Sequence, residues 1–245
     1  MAVLWQKVKH GQLYEVRAAG SSVRLYSNGV FHSQWNPKKP IAGNLWDLLF
    51  LPACFLPACS LSTSDNIRVL LLGVGGGAVI RQLQHFFPDA EIVAVELEPL
   101  HIQVAKKYFG VKSCDLVWAD AIGWLKTYSG EKFDLVIDDL FCHSKGEAER
   151  AIDVDDAWAR QLLRVLKPAG VVAVNFGSPK ELNKSALKSK MAGGYSLRHP
   201  LYENAIGVFS RKPLSLKNAH SVMQRYPSLD QRRKSCPLQV NFKKL

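Results

Sequence analysis

Two kinds of residue in this chain have the type and spacing for chemistry. One is a cluster of glycines, Gly73, Gly75, Gly76 and Gly77, at the end of an apolar run. The other is a set of acids at the ends of three apolar runs: Glu96, Asp120, and the adjacent pair Asp138 and Asp139. Glycines at a strand-to-helix junction permit φ > 0 turns and let the backbone come close to a cofactor. Gly73, Gly75 and Ala78 satisfy the G-x-G-x-x-[G/A] dinucleotide fingerprint, a weak signal when taken alone. A carboxylate about twenty residues further on, here Glu96, suits the paired hydroxyls of a ribose. Asp120 is placed to accept from an exocyclic adenine amine, and reads equally as a helix N-cap. A nicotinamide enzyme has less use for an acid at that position, so an adenosyl sulfonium ranks above a dinucleotide as the expected ligand.

Such residues converge only if the elements carrying them form one sheet. Apolar runs predict strands over 68–73, 91–96, 115–118, 133–138 and 170–176, with helices over 77–87, 99–108, about 120–128 and 154–166 between them. The strands read as continuous apolar stretches, as in a parallel sheet covered on both faces. All of the acids then lie at carboxyl ends of strands, where open α/β sheets bind ligands. "YSLRHPLYENAIGVFSR" predicts two further strands around a turn, an unusual finish for a nicotinamide-binding domain. Before the sheet, residues 13–35 alternate as a small β-meander, with Asn28-Gly29 as a tight hairpin turn. Between meander and sheet, Leu45 to Cys59 is too short to span a membrane and holds Asp47, Pro52 and Pro57, so it reads as a buried helix broken by proline. The expected organisation is a meander over 1–40, a cofactor-binding domain over 41–212 and a basic extension over 213–245.

At 245 residues the chain is long enough for a full α/β core. The N-terminus lacks the apolar core of a signal peptide, and the five cysteines are scattered without a CxxC pair. Reduced thiols in a cytoplasmic protein are expected, with neither a disulfide framework nor a metal site. Charge is uneven: from Lys180 onward there are 14 Lys and Arg against 3 Asp and Glu, while residues 1–179 balance at 18 each. That basic quarter offers nucleic acid a surface, although it carries no recognisable nucleic-acid motif, and a solvated face is its ordinary explanation.

These stretches resemble the spermidine synthase-like group of class I S-adenosylmethionine-dependent transferases. The resemblance is carried by "NGVFHSQW", "LLLGVGGGAVIRQL", "AVELEP", "ADA", "FDLVIDDLF", "LLRVLKPAGVVAVN" and the terminal hairpin. It implies an α/β fold with a seven-stranded Rossmann-like class I methyltransferase sheet, parallel except for the terminal antiparallel hairpin, beside the small N-terminal meander. It also implies S-adenosylmethionine as cofactor, a small-molecule acceptor and a homodimer pairing through the meander's edge.

Departures from the resemblance bear on the reaction. Aminopropyltransferases of the group typically read GGGDGG, and Gly76 stands where their aspartate would grip the amine of decarboxylated S-adenosylmethionine. Glycine there also removes the repulsion that an aspartate would exert on the carboxylate of ordinary S-adenosylmethionine. The group's D-S-x-D-P becomes Asp139-Leu140-Phe141-Cys142-His143, and its Tyr-His polyamine contacts are missing from "NPKKPIAGNLWDLL". A polyamine needs several converging carboxylates. Glu147, Glu149, Asp153, Asp155 and Asp156 could supply them as a lid, or be a solvated loop and helix N-terminus.

A methyltransferase is therefore expected, with a polyamine aminopropyltransferase (spermidine synthase) and a non-catalytic cofactor-binding module as alternatives. Asp139 is the expected general base, receiving the acceptor's amine or hydroxyl and its proton. Asp138 should point to the opposite face, because neighbours on a strand alternate. It is nonetheless counted among the cofactor contacts with Gly73, Gly75, Gly76, Gly77, Glu96 and Asp120, since strand ends often kink. Asn175 and His143 are weaker substrate candidates. Trp35, Trp118 and Trp124 are candidates for stacking on a ring, or core residues.

Overall fold

The computed structural model describes residues 1–60, 66–144 and 147–245. The chain opens with four antiparallel strands in the order β1-β2-β3-β4: β1 (Ala2–Lys9), β2 (Gln12–Ala19), β3 (Ser22–Ser27) and β4 (Val30–Trp35). The expected meander is β2 to β4, and β1 is an addition. Most of its side chains face solvent, so burial leaves no periodic trace in its sequence. The turn into β2 uses His10 at φ 49° beside Gly11 at φ 75°, the same pair of left-handed residues that Asn28 and Gly29 supply later.

The segment 45–59 is helical, with residues 46–56 and Cys59 buried, as its composition predicts. It runs as α1 (Trp46–Phe50), a 3-10 turn (Leu51–Phe55) with Pro52 near its start, and α2 (Pro57–Ser60). Asp47 is fully buried within it and accepts from the backbone N–H groups of Ala42, Gly43 and Asn44 and from Gln82.

The alternating part follows as β5 (Arg68–Leu72), α3 (Ala78–Phe86), β6 (Glu91–Glu96), α4 (Pro99–Lys107), β7 (Asp115–Trp118), α5 (Ala121–Thr127) and β8 (Phe133–Asp138). A short hairpin, β9 (Phe141–Ser144) and β10 (Glu147–Arg150), precedes α6 (Asp156–Arg164) and β11 (Leu166–Phe176). Then come α7 (Pro179–Lys184), α8 (Ala186–Lys190), β12 (Gly193–Arg198), β13 (Ala205–Ser210), α9 (Leu216–Met223) and β14 (Asn241–Lys244).

One sheet collects eight of these strands in the order β14-β12-β13-β11-β8-β5-β6-β7. β11, β8, β5, β6 and β7 are parallel, and β13 runs antiparallel between β11 and β12. The seven expected strands are all present. The eighth, β14, lies antiparallel on β12 and brings the end of the basic quarter into the sheet edge. Its four residues, "NFKK", are too short and too charged to announce a strand.

The apolar runs alternate into two cores. Val69, Leu71, Leu135, Ile137, Val171 and Ala173 pack on one face with α1 and α3, while Leu70, Leu72, Val136, Val172 and Val174 pack on the other with α6. Each fully buried side chain of this kind contributes roughly 1.5–3 kcal/mol, so the central strands cannot slip by one residue without exchanging both faces. Among the described residues, no helix is long and apolar enough to cross a membrane.

Candidate active site

β5 and β8 are neighbours in the sheet and end side by side, so the glycine loop and the Asp138-Asp139 pair emerge together. Gly73 donates its N–H to Val95 (3.0 Å), and Asp139 donates its N–H to Leu72 (2.8 Å). Gly73 has φ 87°, and a Cβ on it would run into the carbonyl of Asp139. Only glycine satisfies both constraints. Gly76 is different: its backbone is one that any residue adopts, but a Cβ there would sit within the ring of Phe109, 2.7 Å from Cε1. Gly77 is the N-cap of α3, and Gly75 lies under the carbonyl of His32 on β4.

Glu96 ends β6 and is buried. Its Oε2 accepts from the N–H groups of Val74 (2.9 Å) and Gly75 (3.0 Å), and its Oε1 accepts from Glu98 N–H (2.9 Å) and faces His101 Nδ1 at 3.5 Å. Burial pushes this carboxyl up, but His101 and the backbone donors outweigh it and hold Glu96 at about 2. His101 is in turn enclosed by the N-terminal sheet, through Ser27 Oγ at 3.4 Å from Nε2 and the rings of Tyr14 and His32. Lys9 and Tyr14 bind Glu98, and Ser33 Oγ accepts from Ala78 N–H at the start of α3.

The neighbouring acids part ways. Asp138 is fully buried, and its Oδ2 accepts from Arg150 Nη2 and Trp158 Nε1, both at 2.8 Å. Its Oδ1 takes the N–H of Leu140 at 3.2 Å. The expected alternation of faces is seen. The strand end does not kink to bring this carboxylate to the glycine loop, because Arg150 and Trp158 occupy both of its bonding directions at Oδ2. Asp139 accepts at Oδ1 from Asn175 Nδ2 (2.8 Å), and Asn175 Oδ1 accepts from Asn204 Nδ2 (3.0 Å). Burial is the main cause that raises the Asp139 carboxyl from 3.8 to about 7; Asn175 and Arg150 oppose the rise, and Asp138 and Glu96 add to it.

Of the remaining expected residues, Asp120 caps α5, accepting from Gly123 N–H (2.9 Å) and Ile122 N–H (3.4 Å), with its side chain exposed. Asn175, only 3% exposed, is drawn to Asp139. His143 sits on β9, and its side chain lies outside the described residues. Trp35 packs in the interior and Trp124 lies half-buried against the core, whereas Trp118 is exposed beside exposed Leu97, whose carbonyl it binds at 3.0 Å. The glycine loop, Glu96 and Asp139 thus share one rim. His101, Arg150 and Asn204 complete it and were not legible: each reaches the site from another element, and Arg150 was hidden in a segment that reads as acidic loop.

Residues 63–209 match the model of a family described as a methyltransferase domain. The chain belongs to that family. A polyamine aminopropyltransferase of Prochlorococcus marinus (strain MIT 9215) is 21% identical over 217 residues, 81% of this chain and 75% of that protein. For relatives of the same name from Vibrio vulnificus (strain CMCP6) and Chromobacterium violaceum, the matched region covers 56% and 44% of the relative's length. Among solved structures, a probable spermidine synthase from Corynebacterium glutamicum ATCC 13032 aligns with a TM-score of 0.76 at 15% identity, over 99% of this chain and 90% of that one. Human methyltransferase-like protein 13 in complex with SAH aligns at 0.66 and 19% identity, over 78% and 93%. The methyltransferase-domain chain therefore has the spermidine synthase-like class I fold, and is an enzyme of the S-adenosylmethionine-dependent transferase type.

Proposed function

We propose that this methyltransferase-domain protein binds S-adenosylmethionine and transfers its methyl group to a small-molecule amine or hydroxyl held at Asp139. Three features of the loop support this cofactor. Its cradle is kept free of Cβ atoms, Glu96 stands ionised at its edge, and exposed Leu97 and Trp118 offer an apolar flank. The 3.5 Å contact to His101 is the longest around Glu96 and is the one a ribose hydroxyl would displace. The sulfonium supplies an activated carbon; this chain positions the nucleophile and takes its proton. Asp139, raised to about 7, is suited to take a proton at neutral pH, and Asn175 orients it.

The observation that carries methyl over aminopropyl transfer is Gly76 against Phe109. An acid at 76, which aminopropyl transfer in the resembling group uses, has no volume unless the ring moves. The second reading, aminopropyl transfer, is favoured by the names of the curated relatives. Titration calorimetry with S-adenosylmethionine and with its decarboxylated form separates the two. Tighter binding of the carboxylated form is expected, and preference for the decarboxylated form overturns the reading. Tight binding with no labelled methyl passed to any component of a cell extract would leave a non-catalytic module. The basic quarter has cations turned onto its own protein: Arg232 and Arg233 onto Asp230, and Lys190 onto Asp156 at 2.6 Å. That pairing supports a solvated face over a nucleic-acid surface.

A further inference from the structure

Asn175 has a side-chain amide with two possible orientations, and only one is compatible with an ionised Asp139. With Nδ2 toward Asp139, the amide donates to a carboxylate. With Oδ1 toward it, two oxygens face each other unless Asp139 carries the proton. Asn175 is almost fully buried, so no bulk water selects between the two. The selection comes from Asn204, in the turn between β12 and β13, whose Nδ2 donates to Asn175 Oδ1 at 3.0 Å. The backbone of Asn175 is fixed independently, by its ladder with Ile206 and by Arg150 Nη1 on its carbonyl at 2.6 Å. Its amide orientation is thus the free variable.

We propose that Asn204 is a positioning residue for the transfer reaction: by donating to Asn175 it turns that amide's N–H onto Asp139 Oδ1 and leaves Oδ2 for the acceptor's proton. The role rests on the methyl-transfer reading of Asp139. Among the described residues Oδ2 takes no hydrogen bond, in keeping with such a division between the two oxygens. Asn204 touches no reacting atom. It acts through Asn175, so its effect should appear in when Asp139 titrates. The other ionisable groups that bear on Asp139 are Asp138 beside it on β8, Arg150 on β10 and Glu96 on β6, and none of them contacts the Asn204 amide.

The test needs no turnover. The Asp139 carboxyl is followed by ¹³C NMR across pH, with Asp139→Asn assigning the signal, and the Asn175 side-chain amide is followed by ¹⁵N–¹H correlation. In the unaltered chain both should report the same midpoint. Asn204→Ala should raise the Asp139 midpoint by about half a unit, because the N–H that favours the carboxylate is no longer held in place. Asn204→Asp should reverse the relay, turning Asn175 Nδ2 toward the new carboxylate. The midpoint should then rise by about one unit or more, and the Asn175 amide should stop following it. A new charge acting at a distance would raise the midpoint and leave the amide following. The proposal is overturned if neither variant moves the midpoint, or if the Asn175 amide still tracks Asp139 in Asn204→Asp. Failure of the chain to bind S-adenosylmethionine in calorimetry would sink the methyl-transfer reading separately, since both titrations are made without cofactor.

Discussion

Glu96 and Asp139 stand at the ends of strands separated only by β5, the first buried and the second half-buried, yet one is held at about 2 and the other is raised to about 7. Burial pushes both upward. The difference lies in donors. Three backbone N–H groups and His101 converge on Glu96, while Asp139 receives one amide N–H and faces two other acids. One rim therefore carries a permanent anion and a titrating acid, the pair that the proposed function uses for holding the cofactor and for moving a proton. A sheet edge can sustain both because the glycine loop aims the N–H groups of Val74 and Gly75 at Glu96, while the donor to the Asp139 carboxyl is the side-chain amide of Asn175.

The comparison breaks most visibly at Asp139. Asp139→Asn keeps the shape and removes the base, so methyl transfer should fall by roughly 10²–10⁴-fold while calorimetric affinity for S-adenosylmethionine stays within about threefold of the unaltered chain. An unchanged rate, measured with labelled cofactor, would show the proton leaving by another route. Glu96→Gln should act on the other side. It removes a charge on which three N–H groups depend, costing on the order of 3 kcal/mol in chemical denaturation together with most of the cofactor affinity. A variant as stable as its parent would mean that the loop donors find other partners.

The smallest and sharpest effect is the pH dependence of stability without ligand. Glu96 is lowered from 4.5, so its contribution is present above that value and is lost as pH falls toward 2. Asp139 is raised from 3.8, so folding binds its proton more tightly and stability declines as pH climbs from about 4 to 7. Asp47, raised to about 6, adds a decline of the same sign. Thermal melts should show Asp139→Asn gaining on the unaltered chain across pH 4–7, with the gain constant above about 7 and absent below about 4. A gain of equal size at every pH would place the Asp139 proton outside this account.

Much of the fold was legible because the central strands are apolar on both faces, so five continuous runs admitted one arrangement. β1 was not, since its side chains face solvent and its turn places histidine where asparagine or glycine is usual. At the site, the alternation of Asp138 and Asp139 could be read from strand periodicity alone. What occupies Asp138 could not, because Arg150 and Trp158 arrive from a hairpin and a helix beyond it. Asn204 and His101 were hidden for the same reason: hydrogen bonds between side chains on different elements leave no spacing in the chain.

The contact between Phe109 and the loop bears on how such a chain could change its chemistry. Aspartate at 76 collides with a ring that is already in place, and removing the ring first opens a hole costing about 3–5 kcal/mol. Either substitution alone is a loss, so the route from one transferred group to the other runs through a simultaneous exchange of two distant positions. On the proposed reading, packing behind the glycine loop, rather than any reacting atom, keeps the two activities apart.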